Sequence, residues 1–331
     1  MRGRRYLEGH KSRVTARNFL PRDKVWKTGH TEFKTMASQA PTSLFGSDRS
    51  IIESEIKEME EVLCPVCGVA PTPFAVDYQG FQLCRCPVCD LQFLSPRPTF
   101  EQLAEKVYNE SYHSGTDTSE QLSDSSRYQF ERQFRTLEQL LGHKGKILDV
   151  GCGNGTFLKL GQERGWSAYG CDIVLSPYVR TSKSFPLWEG RLLEIDFGSD
   201  DFDAIRFNHV LEHTQNPLAE LERSRKLLRT GGVIYISVPN IAGISIHLKN
   251  LQSRLHLKKR RWRHYAALHH LWFFTPGTLT RLIEKAGLRV LHWETPVFKK
   301  EGQNALVESG LRQVLERSRS SSILDFYCTR D

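Results

Sequence analysis

The sequence predicts an α/β fold: a doubly wound parallel sheet, with a small cysteine-rich module set in front of it. Three observations carry this expectation. Short apolar runs alternate with amphipathic helical patterns from residue 146 onward. A glycine-rich turn, Gly151–Gly155, joins the first such run to a helix. Five of the eight cysteines fall between residues 64 and 89.

A chain of 331 residues suits about two domains. Its 39% hydrophobic and 25% charged content is that of an ordinary globular protein, so disorder as the general state is excluded. The longest apolar window, Gly231 to Leu248, is interrupted by Pro239, Asn240 and His247, which rules out a membrane-spanning helix. No apolar stretch follows the basic N-terminus as a secretory signal requires. A cytoplasmic protein is expected.

The net charge of +8 is local rather than global. Residues 1–36 carry ten Lys/Arg against three acids, and residues 249–264 carry seven Lys/Arg and no acid. The first segment lacks any apolar periodicity and reads as a flexible basic tail, within an unassigned stretch 1–60. An upstream-extended start, with Met36 as an alternative initiator, is the plain explanation; an acidic partner is the other. The second segment is interleaved with Leu251, Leu255, Leu257 and Trp262, which predicts an amphipathic helix over the cleft, either solvated or contacting substrate phosphate.

The cysteine pattern is more specific. Cys64-Pro-Val-Cys67 and Cys86-Pro-Val-Cys89 are separated by eighteen residues, the spacing of a four-thiolate zinc ribbon. Each C-x-x-C turn lets two thiolates face one metal at about 2.3 Å. Gly68 suits the first tight turn, and Asp90 stands at the matching place in the second. Four cysteine ligands close the coordination sphere, so the zinc would be structural. Cys84 is the spare. A disulfide is the competing reading, but nothing indicates an oxidising compartment. The module spans 61–98.

Leu94 to Thr99 is punctuated by prolines and marks a boundary. A helix is expected over Phe100–Tyr108, a polar loop or lid over 109–126, and an amphipathic helix over Tyr128–Leu141. In that helix Phe130, Phe134, Leu137, Leu140 and Leu141 share a face. Together these form a helical linker, 99–143, ahead of a main domain, 144–331. Within that domain strands are expected at Ile147–Val150, Ser167–Gly170, Asp201–Asn208, Gly231–Val238, Leu288–Trp293 and Ile323–Thr329. Helices are expected at Thr156–Arg164, Pro217–Leu228 and Pro276–Ala286.

A strand, a G-x-G-x-G turn and a helix start place backbone N–H groups beside a nucleotide-like cofactor. The acid before the turn, Asp149, would repel a pyrophosphate but can hold a cationic amino acid. Asp172, about twenty residues further on at the end of the next strand, can accept both hydroxyls of a ribose.

At these residues the chain resembles the class I S-adenosylmethionine-dependent methyltransferases. The resemblance rests on LDVGCGNGTFL, GCDI, FNHVLEHTQNP, LRTGGVIYISVPN and HHLWFFTPGTLTRLIEKAGL, and covers roughly residues 61–330. It is also similar to the subgroup whose N-terminal ribbon reads CPVCG…CPVCDLQFLSPRP, associated with modification of sugars and other small metabolites. The resemblance implies a Rossmann-like, seven-stranded sheet and S-adenosyl-L-methionine as cofactor. It implies that Asp149, Gly151, Gly153 and the Cys152 backbone line the methionine moiety. Gly155 would permit helix–strand packing, Asp172 would bind the ribose and Ile173 would lie against the adenine, with Asn208 completing the set. Where an acid usually meets the adenine amino group this chain has Arg191, so backbone contacts from Arg191 or Leu192 would serve.

The sulfonium is a strong methyl donor, so the protein mainly has to hold an acceptor in line with it. A hydroxyl acceptor also needs a base. His213 is the candidate, with Glu212 to orient it and His270 as a second histidine facing the acceptor; His269 is its neighbour. Helix-initiating hydrogen bonds are the plainer role for Glu212 and His213. A divalent ion held by Glu212, His213 and a later histidine occurs in related O-methyltransferases. The aromatic run Leu271–Pro276 is expected to close over the site. The expected acceptor is a small molecule methylated on oxygen or carbon, a nucleotide- or lipid-linked sugar or glycan precursor among them. RNA methylation, using ribbon and tail, is the alternative, but the Asn/Asp-Pro-Pro-aromatic sequence of base-amine methylases is missing at Asn208–Leu211. A non-catalytic cofactor-binding scaffold is a third reading.

Overall fold

Two cysteine knuckles need a hairpin between them, and the computed structural model supplies one. It describes residues 56–108, 123–181, 184–198, 201–297 and 319–331. Most of the basic tail and most of the expected loop 109–126 lie outside the described residues. Strands β2 (Thr72–Val76), β3 (Gln82–Arg85) and β4 (Gln92–Leu94) form an antiparallel meander. A two-residue pair, β1 (Met59–Glu60) with β5 (Arg97–Pro98), closes its base.

Helix α1 (Phe100–Lys106) starts at Thr99, whose hydroxyl accepts from Gln102 N, satisfying a backbone donor the first turn leaves free. Helix α2 (Asp124–Leu141) is capped by Ser123 and stopped by Gly142 at φ 75°, the left-handed conformation glycine adopts without strain. Phe134 and Leu137 on its inner face are buried, and Phe134 stacks on Phe157 with ring centroids 4.4 Å apart. Leu140, expected on that face, is instead partly exposed.

The main sheet runs β12-β13-β10-β9-β6-β7-β8. Its strands are β6 (Lys146–Val150), β7 (Ser167–Asp172), β8 (Leu187–Glu189), β9 (Phe202–Asn208), β10 (Leu228–Pro239), β12 (Arg289–Glu294) and β13 (Ile323–Thr329). Strands β6 to β10 pair in parallel. Helices α3 (Thr156–Glu163), α4 (Pro177–Thr181), α5 (Pro217–Leu227), α6 (Ile244–Arg254) and α7 (Pro276–Lys285) follow in the connections. Strand β13 enters antiparallel between β10 and β12, so the sheet is mixed, not wholly parallel. An apolar run encodes burial, not direction, which is why the pattern could not show this. Strand β8, with only three residues at the sheet edge, was not expected as a separate strand.

Two further differences bear on the site. The basic segment is helical only to Arg254 and continues as turns. The aromatic run does not cover the cleft: Trp272–Phe273 forms β11, which pairs antiparallel with Gln92–Phe93 of β4 and joins the cysteine module to the body. Two edges with unpaired backbone groups satisfy each other there, and Trp272 is buried as a result.

Candidate functional site

The turn after β6 begins at Gly151, whose φ is 71°. A Cβ there would meet Val210 Cγ2 at 2.4 Å, so only glycine lets the turn approach the loop after β9. Gly155, at φ 72°, is similarly hemmed in: a Cβ there would meet Val179 Cγ2 at 2.7 Å. Gly153 N donates to Asp172 Oδ2 at 2.9 Å, which fixes the carboxylate at the end of β7 beside the turn.

Beneath the turn Asp149 is 1% exposed and accepts from Arg206 Nη1 at 2.6 Å. Arg206 also donates through Nε to Gln133 Oε1 at 2.9 Å, and its guanidinium lies 3.8 Å from the Phe157 ring centroid. Gln133 in turn donates to Tyr235 Oη and Asn208 Oδ1. Burial pushes the Asp149 carboxyl up to about 6 against the pull of Arg206, so it is an anion at neutral pH.

A cavity of about 330 Å³ opens above the turn, within the size range of small-molecule sites. Gly151, Gly153, Asp172, Ile173, Asn208 and His213, all singled out in the sequence, line it. Asp149, Cys152, Gly155, Glu212 and His270 are not among the residues that line it. Their reach to a ligand is indirect: Asp149 is engaged by Arg206, and Cys152 Sγ would touch a Cβ on Gly170.

Arg191 and Leu192, named for the adenine site in the sequence, also line it, whereas Phe100, Tyr108, Gln215 and Glu220 carried no sequence signal. Phe100 and Tyr108 from the linker form one wall with Arg191, whose guanidinium sits 4.2 Å from the Phe100 ring centroid. Arg191 is also paired with Glu194. Gln215 also lines it, and both its amide atoms are buried with no hydrogen-bond partner among the described residues. Such atoms lose their water without replacement unless a ligand supplies it. Glu220, on α5, faces the cavity too, and burial raises its carboxyl to about 7.

A 3-10 turn, Leu211–His213, sets the histidine cluster. Glu212 is fully buried; its Oε1 accepts from His209 Nδ1 at 3.3 Å and lies 3.9 Å from His213 Nε2. Its Oε2 is buried without a hydrogen-bond partner among the described residues. Burial works to raise this carboxyl, yet the His209 hydrogen bond and the nearby His213 hold it below its ordinary value. His213 Nδ1 donates to the His269 carbonyl, which leaves Nε2 as the lone-pair nitrogen. The His270 ring stands edge-on to it, centroids 4.9 Å apart, and burial drives His270 down to about 3, so it is neutral. Ligating atoms of Glu212, His213 and His270 lie within 4.8 Å of one another.

The four knuckle cysteines also converge: their sulfurs lie within 4.8 Å of each other, with Cys64 and Cys89 Sγ at 3.6 Å. Backbone N–H groups of Val88 and Cys89 point at Cys86 Sγ at 3.4 and 3.5 Å, and its thiol lies below the ordinary value although burial opposes this. Gly68 and Asp90 occupy equivalent left-handed positions, at φ 68° and 64°. Cys84 turns away and donates to the Ser95 carbonyl. All eight cysteines are free thiols. Such a cage fits a tetrahedral metal with sulfur ligands.

The sequence model of a family described as a methyltransferase domain matches residues 125–293. The ubiquinone biosynthesis O-methyltransferase of Dinoroseobacter shibae is 30% identical over 179 residues, 48% of this chain and 65% of that protein. The tRNA U34 carboxymethyltransferase of Idiomarina loihiensis is 22% identical over 218 residues, 61% of this chain and 64% of that protein. The chain thus spans just under two thirds of the length of these curated relatives. Among solved structures, the 1,6-didemethyltoxoflavin-N1-methyltransferase of Burkholderia thailandensis, with bound 1,6-didemethyltoxoflavin and S-adenosylhomocysteine, covers 78% of this chain and all of its own. Its TM-score is 0.49 at 20% identity.

Proposed function

The chain belongs to the methyltransferase-domain family, and we propose that it is an S-adenosylmethionine-dependent methyltransferase that methylates a hydroxyl of a small molecule. One observation carries this reading: Asp172 and His213 line the same cavity. The cavity, the glycine turn and Asp172 at the sheet's carboxyl edge fit a nucleoside bearing an amino acid.

In this reading Asp172 holds the ribose hydroxyls and Ile173 lies against the adenine. The Gly151–Gly153 backbone and Asn208 take the amino-acid end. Asp149 acts from below, through the turn it braces, and Cys152 and Gly155 shape that turn. The bound cofactor supplies the electrophilic methyl group. His213 Nε2 accepts the proton of the acceptor hydroxyl, its ring held by the His269 carbonyl. Gln215 offers an amide to a polar group of the acceptor, against the apolar walls of Phe100 and Tyr108. A sugar hydroxyl and a phenolic hydroxyl both satisfy this chemistry; the O-methyltransferase among the relatives favours oxygen over carbon. Residues 61–98 serve as a structural zinc ribbon, 99–143 as a linker contributing one cavity wall, and 144–331 as the cofactor-binding domain.

Calorimetric titration with S-adenosylmethionine tests the site. One mole should bind per chain, and Asp172→Ala should weaken it about tenfold or more, the cost of one charged hydrogen-bonding group. Equal binding by that variant would sink the reading.

A second reading is favoured by the unpartnered Glu212 Oε2. Glu212, His213 and neutral His270 offer three donors to a divalent cation, which would lower the acceptor hydroxyl's pKa. Activity that falls on mild chelation and returns with magnesium or manganese, but not in Glu212→Gln, would select it. Activity indifferent to chelation would leave His213 as the base.

A further inference from the structure

We propose that helix α6 and the basic turns after it dock the protein on an anionic lipid surface. Surface helices normally turn their apolar face to the core; α6 does the reverse. Of its less exposed residues only Ile246 is apolar: Ser253 is buried and its hydroxyl accepts from Trp262 N at 3.1 Å, and Asn250 Oδ1 meets His264 Nε2 at 2.6 Å. Its outer face carries Ile244, Leu248 and Leu251, continued by Leu255 and Leu257, each between 48% and 69% exposed. The steps of four, three and four residues put the first four on one stripe. Five aliphatic side chains left in water are a standing cost that burial in a lipid interface removes.

The charge beside the stripe selects the kind of surface. Residues 249–264 hold seven cations and no acid, with Lys258, Lys259, Arg260 and Arg261 successive and exposed. Basic side chains flanking a leucine face draw an interfacial helix to anionic headgroups. At the stripe's end Arg85 and Arg254 line one cavity with Phe74 and Trp262. Arg85, whose side chain is 42% exposed although its Nη1 lies 4.0 Å from Asp90 Oδ1, and the exposed Arg254 offer cations suited to a lipid phosphate. Nucleic acid would use the cations and leave the leucines wet, since bases stack on aromatic faces. A second copy would bring two such cationic clusters together.

Co-sedimentation of the full chain with phosphatidylcholine vesicles, with and without phosphatidylglycerol, tests this. The chain should pellet with the anionic vesicles and not with the zwitterionic ones. Leu248→Ser/Leu251→Ser/Leu255→Ser, which keeps every cation including those of the N-terminal tail, should lower partitioning about tenfold or more at unchanged melting temperature. Lys258→Gln/Lys259→Gln should lower it in the same direction and abolish its salt dependence in part. The proposal is overturned if the leucine variant binds like the parent. It is equally overturned if the chain ignores both vesicles while it binds RNA at physiological salt, or while it forms dimers that the leucine variant loses.

Discussion

Arg206 Nη1 donates to Asp149 Oδ1 at 2.6 Å beneath the glycine turn, with side chains only 3% and 1% exposed. The pair is parallel-strand geometry made chemical: β6 and β9 are neighbours, and Asp149 lies opposite Arg206 in register. A carboxylate buried on that strand needs a cation, and the next strand provides it. The Arg206 guanidinium also stacks on Phe157 at the start of α3, so one ion pair links the turn, two strands and a helix.

Replacing Arg206 by Met should therefore destabilise the protein by about 3–5 kcal/mol, because it strands a buried charge. Arg206→Met/Asp149→Leu should regain a good part of that loss. Urea denaturation of the parent and the two variants checks it, and a double variant no better than the single would show that the two charges are not coupled.

Glu220 gives a pH dependence with a definite sign. Burial raises its carboxyl from 4.5 to about 7, so the folded protein binds this proton more tightly than the unfolded chain does. The stability this lends is complete below the ordinary carboxyl pKa and disappears as pH rises through 7. Between pH 5 and 8 the parent should lose up to about 3 kcal/mol relative to Glu220→Gln. Parallel slopes for parent and variant, followed by denaturant midpoint, would contradict it.

His213→Gln should lower turnover by about 10²–10⁴-fold while leaving S-adenosylmethionine affinity within a factor of about two. The split matters: a residue that only shapes the loop would change both together. Single-turnover rates and calorimetry on the same preparation separate the two outcomes.

Cys86→Ser should reduce bound zinc from about one per chain to a small fraction and lower the melting temperature by several degrees, since a four-thiolate site rarely survives loss of a ligand. Cys84→Ser should keep its zinc, because that thiol donates to the Ser95 carbonyl outside the cage. Metal analysis after purification under reducing conditions distinguishes them.

The sequence by itself determined the local features. Apolar runs of four to eight residues marked strands β6, β7, β9, β10, β12 and β13. Apolar periodicity placed the helices, and the G-x-G-x-G turn with Asp172 pointed to a nucleoside site. Each of these is written within one turn or one strand, where periodicity and backbone sterics act. What only the tertiary structure decided involves groups far apart in the chain or context a local pattern cannot hold. The direction of β13 and the three-residue edge strand β8 depend on their neighbours. Pairing of β11 with β4 joins segments about 180 residues apart, and it turned an expected lid into a seam. Asp149 met Arg206 and left the cavity wall; Gln215 and Glu220, ordinary in sequence, became buried polar groups facing the cavity. The segment expected as an amphipathic helix over the cleft instead turns Leu251 and Leu255 outward, which only the fold could show. Burial is a property of the assembled chain, and it alone decides whether a side chain is packing, a partner or a site.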